Sequence, residues 1–285
     1  MRHIVYDVDM DNNVFYIILG SKKQAFYLTK NLSKTFGDYI KRGYLIDFEI
    51  VNKFKKIGQT KAIQVHHFTK IKSLNPEYTY YDLSLLKVKM AEVVKKYNYY
   101  LFLDFEMTMP GYKKGPFQTE IIQFGAYLVN KKREVILTRD YYIEPINTDG
   151  INKRTKKFLS IDEVEFFQTA KKYRYFYDDL KELMTTYNPI IVTWGKNDRM
   201  VLKNSYKLNN LKQITRDRQF IDLLQLHKDY FNLKNDLGLF NAHMQYYPNQ
   251  YLEQQTHDAK DDALVMMEVF FGFMEIMDKE NNQIK

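Results

Sequence analysis

The sequence predicts a mixed α/β domain of about 180 residues behind a smaller β-rich one. Three observations carry that expectation. In the second part, strand-like runs come first and helical runs follow, around the apolar stretch "YYLFLDFEM" at 99–107. The first 72 residues instead hold short β-type runs punctuated by Gly20, Gly37, Gly43 and Gly58. The charge divides the same way. Residues 1–96 hold 17 Lys/Arg and 9 Asp/Glu, whereas residues 97–285 hold 26 of each, so the whole net charge of +8 lies in the first third. A basic segment rich in aromatic residues suits a polyanion. A solvated basic face with no partner is the bland alternative.

Taken in order, Val14–Leu19, Gln24–Leu28, Tyr44–Val51 and Ala62–Phe68 read as strands of a small barrel. Ser73–Tyr81, with Pro76, reads as a linker. Asp82 then caps a helix to about Asn98, with Leu83, Leu86, Met90 and Val93 or Val94 at helical spacing. Next come a strand (101–107), a loop through Gly111 and Gly115, strands at 120–129 and 134–143, and helical segments within 151–187. A buried strand Ile190–Trp194, a helix from about Arg199, short helices and a last helix (258–277) complete the chain. The division is a basic β-rich domain (1–72), a linker and helix (73–97) and an α/β domain (98–277).

Composition excludes several classes. No apolar run approaches the roughly 18 residues of a membrane span. Asp7 and Asp9 stand where a signal peptide would carry its apolar core. With no cysteine, disulfides and thiolate metal sites are ruled out, which fits a cytoplasmic protein.

Acids placed among apolar residues are the chemical signal. Asp104 and Glu106 alternate with Phe105, so both share the side of Tyr100 and Phe102. Two neighbouring carboxylates on a buried face need a compensating cation, proton or donors. "DFE" also occurs at Asp47–Glu49, but there Ile46, Phe48 and Ile50 take the opposite side, so the acids lie on a wet face. Asp198 follows the strand of "IIVTWGKND" and shares the face of Val201 and Leu202. Asn197 is the better helix cap, yet cap and inward ligand are equally open for Asp198. In "THDAKDDALVMM", Asp258 and Asp261 suit a helix dipole, whereas Asp262 lies in register with Met266, Val269, Phe270 and Phe273. His257, five residues before Asp262, is a candidate base. Hard divalent cations, Mg²⁺ or Mn²⁺, suit such an all-oxygen set, and a pair of them suits displacement at phosphorus.

These motifs resemble the DEDDh 3′–5′ exonucleases of the ribonuclease H-like fold, in particular the Eri-type branch and its bacterial relatives. The resemblance spans residue 98 to about 275 and includes "EIIQFGA" at 120–126 and "FIDL" at 220–223. It implies a mixed sheet flanked by helices, and two metal ions held by Asp104, Glu106, Asp198 and Asp262. It implies His257 as the base for the attacking water, and nucleoside monophosphate as product. The main chain around Glu106–Met109, with Met107 and Thr108 as the substrate-binding residues, would receive the last nucleotide. Met107 departs from the family, where threonine often follows the glutamate. Residues 37–72 faintly resemble the later strands of a cold-shock OB barrel, with Phe15, Tyr16, Phe26 and Tyr27 as stacking surfaces, half of which must fill the barrel. The implied substrate is single-stranded nucleic acid, RNA favoured over DNA. The rivals are a DNA proofreading or repair exonuclease and a non-catalytic nucleic-acid-binding regulator.

Overall fold

The computed structural model describes residues 1–73, 79–112, 117–248 and 257–284, in two units divided at residue 90. Pro76 of the expected linker and Gly115 of the expected loop lie outside the described residues.

In the first unit, β1 (Arg2–Ile4), β2 (Asp7–Asp9), β3 (Val14–Leu19) and β4 (Lys22–Tyr27) precede helix α1 (Lys30–Phe36). Strands β5 (Leu45–Ile57), β6 (Thr60–Lys72) and β7 (Thr79–Asp82) follow. They form one sheet in the order β1-β5-β6-β4-β3-β2, with β7 paired to β6. β1 and β2 stand at opposite ends of that order, yet only Val5 and Tyr6 separate them. The amides of these two residues donate to Tyr44 and Tyr16. The first nine residues therefore close the sheet into a barrel.

Strand alternation fills it. Phe15, Phe26, Phe48 and Phe68 are fully buried, with ring centroids 5.1–6.1 Å apart. This corrects the expectation that Phe15 and Phe26 offer stacking surfaces. They point inward, while their neighbours Tyr16 and Tyr27 are half-exposed. The second "DFE" takes the wet face: Asp47 pairs with Arg2 at 3.0 Å, and Glu49 is exposed. The end of the expected linker forms β7, and Asp82 caps α2 (Leu83–Lys95) by accepting from the Ser84 and Leu85 amides. That helix buries Ala91 and Val94, while Leu86 of the expected face is exposed.

The second unit holds β8 (Tyr99–Met107), β9 (Ile121–Asn130) and β10 (Val135–Glu144), then α3 (Lys153–Leu159) and α4 (Glu163–Thr169). After β11 (Lys171–Lys172) and α5 (Tyr173–Thr186) come β12 (Ile190–Thr193), α6 (Asn197–Leu208) and β13 (Phe220–Asp222). Helices α7 (Leu223–Phe231), α8 (Leu239–Tyr246) and α9 (Ala259–Ile284) end the unit. The sheet runs β11-β10-β9-β8-β12-β13. β8, β9 and β10 are antiparallel neighbours, and β12 pairs in parallel with both β8 and β13.

β8 is buried on both faces, so its apolar residues run nearly unbroken. Leu101, Leu103 and Phe105 pack in one core with Phe176, Leu180 and Leu202. Tyr100 and Phe102 meet Phe270 of α9 at 5.1 and 5.2 Å on the other side. Asp104 and Glu106 continue this second row toward the start of α9.

What seats that start is Gly125. It pairs with Asp104 across β8 and β9, and a Cβ there would lie 2.1 Å from the backbone of Ala259 and Lys260. Only a residue without a side chain lets the helix backbone lie directly on the strand. Gly125→Ala is therefore expected to cost at least the roughly 1–3 kcal/mol of overpacking, because no rotamer change relieves a backbone clash. A thermal melt tests this; an unchanged melting temperature would contradict the contact.

Candidate active site

Four acids arrive from three elements. Asp104 and Glu106 sit near the end of β8, with Glu106 9% exposed. Gly195, at φ +91°, turns the chain out of β12 in a conformation that favours glycine. The helix then begins at Asn197, with Lys196 in the cap position and no side-chain cap. This differs from the expected role of Asn197 as cap. Asp198, only 4% exposed, accepts the Phe105 N–H at 3.3 Å, which ties the first turn of α6 to the strand between the two β8 acids. The fourth acid, Asp262, is 8% exposed in the first turn of α9. Asp258 caps that helix by accepting from the Lys260 and Asp261 amides, and Asp261 is exposed, as the dipole reading expects.

His257 precedes the helix with a left-handed backbone, φ +51°. One ligand atom each from Glu106, His257 and Asp262 lies within 4.8 Å of the others. Thr256, at the head of the same motif, lies outside the described residues.

Burial and mutual repulsion set the electrostatics. Burial first, then the charges of Asp262, Asp198 and Asp258, push Glu106 up to about 8. Burial, then Asp198, Asp262, Glu106 and Asp258, hold Asp104 well above the usual carboxylate range. Asp198 is pushed up to about 7, chiefly by burial, although the Phe105 amide and its own amide favour its charged form. Every resolved influence on Asp104 and Glu106 opposes ionisation, so the site lacks positive charge. A divalent cation with oxygen ligands would supply that charge, and the donor set fits one.

At Thr108, where the main chain is expected to receive the last nucleotide, the side chain and the amide are engaged within the fold. Thr108 is 3% exposed; its hydroxyl accepts from the Glu120 amide, and its own amide donates to the Glu120 carbonyl. It braces the strand end, while Met107, half-buried at a register shift, packs against the core around Leu103 and Phe105. Gln123 and Gly125 escaped the sequence reading. Gln123 is 5% exposed, and its amide donates to Asp258 at 2.7 Å, holding the cap of α9. A glutamine and a glycine inside the apolar run "IIQFGA" were the available signal.

Comparison with known proteins agrees with this geometry. The family described as Exonuclease matches residues 101–270. The probable 3′-5′ exonuclease KapD of Bacillus subtilis (strain 168) is 32% identical over 178 residues, which is 61% of this chain and 83% of KapD. Among solved structures, the nuclease domain of 3′hExo, a DEDDh family member bound to rAMP, superposes with a TM-score of 0.54 at 18% identity. That match covers 64% of this chain and 94% of the domain. Cell-death related nuclease 4 (CRN-4) gives 0.53 at 20% identity, over 63% of this chain and 64% of CRN-4. The fold is thus the ribonuclease H-like mixed sheet flanked by helices.

A stability prediction follows from the raised carboxyls. A group whose folded pKa is raised contributes stability below its unfolded pKa and loses it as pH rises through the folded value. Without metal, Asp198 loses its contribution as pH rises through about 7 and Glu106 as pH rises through about 8. The chelated protein should therefore melt several degrees lower at pH 8.5 than at pH 6.5. Asp104→Asn, or added Mg²⁺ or Mn²⁺, should narrow the gap. A melting temperature independent of pH over that range, with and without metal, would refute the shared burial.

Proposed function

The chain belongs to the exonuclease family and is a 3′–5′ exonuclease, and we propose that it trims single-stranded nucleic acid, RNA in preference to DNA. The observation that carries this reading is the convergence of Asp104, Glu106, Asp198 and Asp262 from β8, α6 and α9, with His257 beside them. Retention of all five residues disfavours a non-catalytic scaffold, since four crowded acids serve no packing purpose. The binding of rAMP by the similar 3′hExo domain supports the ribonucleotide preference. The lack of cysteine supports a reducing, cytoplasmic setting.

In this mechanism the four acids would hold two divalent cations, Mg²⁺ or Mn²⁺. When bound, such ions would supply positive charge to the displacement at phosphorus. His257 takes the proton from the water that attacks the terminal phosphodiester. The bond from phosphorus to the 3′-oxygen of the penultimate residue breaks, that oxygen takes a proton from water, and the 3′-terminal residue leaves as a nucleoside monophosphate. The main chain around Met107, next to Glu106 in sequence, receives part of that last nucleotide.

We assign the first unit to gripping the strand upstream. The order of its barrel strands, with a helix before the last two long ones, supports an OB-like reading. On the outer face, Tyr16 and Tyr27 stand on a floor of Val14, Ala25 and Ala62, and the Lys23 ammonium lies 4.1 Å from the Tyr16 ring centroid. Aromatic rings beside cations bind single strands by stacking and by neutralising phosphates. The domain assignment 1–72, 73–97 and 98–277 belongs to this same reading.

Matched RNA and DNA oligomers labelled at the 3′ or the 5′ end test the polarity and the sugar preference. Immediate release of the 3′ label as mononucleotide, faster from RNA, is expected; faster DNA digestion would favour the repair reading. His257→Ala should lower turnover by roughly 10²–10⁴ with metal affinity nearly intact. Loss of metal affinity equal to that of Asp262→Asn would instead make His257 a ligand. Replacing Tyr16 and Tyr27 together by alanine should weaken binding of a long strand to the inactive Asp104→Asn protein by about 1–3 kcal/mol per stacked base. Turnover of a dinucleotide should not change. Equal affinity for long strands would place the grip elsewhere.

A further inference from the structure

We propose that Phe158 is a positioning residue for His257, a shelf that holds the imidazole against the acid cluster. The proposal rests on the reading of His257 as the base. Ring centroids of Phe158 and His257 lie 4.1 Å apart, with planes 28° from parallel. This is a stacked pair between residues far apart in sequence, so tertiary structure alone brings them together. Stacking suits a base. It fixes the ring plane while consuming neither ring nitrogen, whereas a hydrogen-bonded holder occupies one of them.

The shelf is itself firmly held. Phe158 lies in the last turn of α3, beside Leu159, which is buried in a cluster with Ile122, Ile151 and Phe166. Asn152 caps the helix through the Arg154 and Thr155 amides, and its own amide donates to the Met109 carbonyl at 2.7 Å. The Thr155 hydroxyl accepts the Met109 N–H at 3.0 Å. Met109 is three residues beyond Glu106, so α3 is bonded directly to the extension of the strand that carries the acids. The Phe158 ring is 44% exposed, so its removal leaves no deep cavity. By contrast, His257 has a left-handed backbone, which a non-glycine residue keeps only when its surroundings hold it there.

The test is a double-mutant cycle on the full-length protein, with a short single-stranded RNA and saturating Mn²⁺. Phe158→Ala should lower kcat roughly 3- to 10-fold, the worth of one aromatic pair, with KM and metal affinity nearly unchanged. Phe158→Trp should restore it. In a His257→Ala background, Phe158→Ala should cost nothing further, because the shelf then has nothing to hold. An undiminished loss in that background overturns the proposal, as does an unchanged kcat. A raised KM with kcat intact also overturns it, and assigns the ring to the nucleotide. The ring-current shift of the His257 imidazole protons in the NMR spectrum reads the contact without turnover. Its persistence in Phe158→Ala overturns the shelf even if the wild-type protein hydrolyses nothing, an outcome that would separately defeat the exonuclease reading.

Discussion

Four carboxylates share one small, poorly solvated space at the meeting of β8, α6 and α9, and much of the second unit serves to hold them there. Unrelieved, such a cluster is destabilising, and the raised carboxyls of Asp104, Glu106 and Asp198 express that cost. The fold offsets it with dense apolar packing on both faces of β8. On one side lies the aromatic core around Phe105, Phe124 and Phe176; on the other, Tyr100 and Phe102 meet Phe270. The strand is rigid because it is buried, and its rigidity fixes two acids at once.

The remaining acids are placed through the backbone. Asp198 accepts from the Phe105 amide, so α6 is registered against the strand by one hydrogen bond. Asp262 is set by the seat of α9 on Gly125 and by Gln123 gripping the Asp258 cap. In both cases a group outside the acid cluster determines where an acid stands. Thr108 and Thr155 do the same for the strand end, using their hydroxyls on backbone groups.

The tripeptide "DFE" meets two fates in one chain. In β8 the acids face the start of a helix and become costly; in β5 Glu49 faces water and Asp47 pairs with an arginine. The difference lies in what flanks them. Apolar residues surround Asp104 and Glu106 on both strand faces, whereas Asp47 and Glu49 alternate with a single apolar row.

Alternation and helical spacing were therefore enough to read the α/β order, the mixed character of the second unit, and the inward acids Asp104, Glu106 and Asp262. Each of these depends only on which side of a local element a residue occupies, and chemistry at that side is written in the sequence. The expected barrel closes because residues 2–4 pair with the distant β5 while residues 7–9 pair with the neighbouring β3, and local pattern does not name the distant partner. The same limit hid which aromatic of each pair, Phe15 or Tyr16 and Phe26 or Tyr27, turned into the barrel. It hid the absence of a cap at Asn197, the buried duty of Thr108, the need for no side chain at Gly125, and the stacking of Phe158 on His257. Apart from the start of α6, all of these are contacts between elements separated in sequence, decided by how closely two backbones approach, and only the assembled structure fixes that distance.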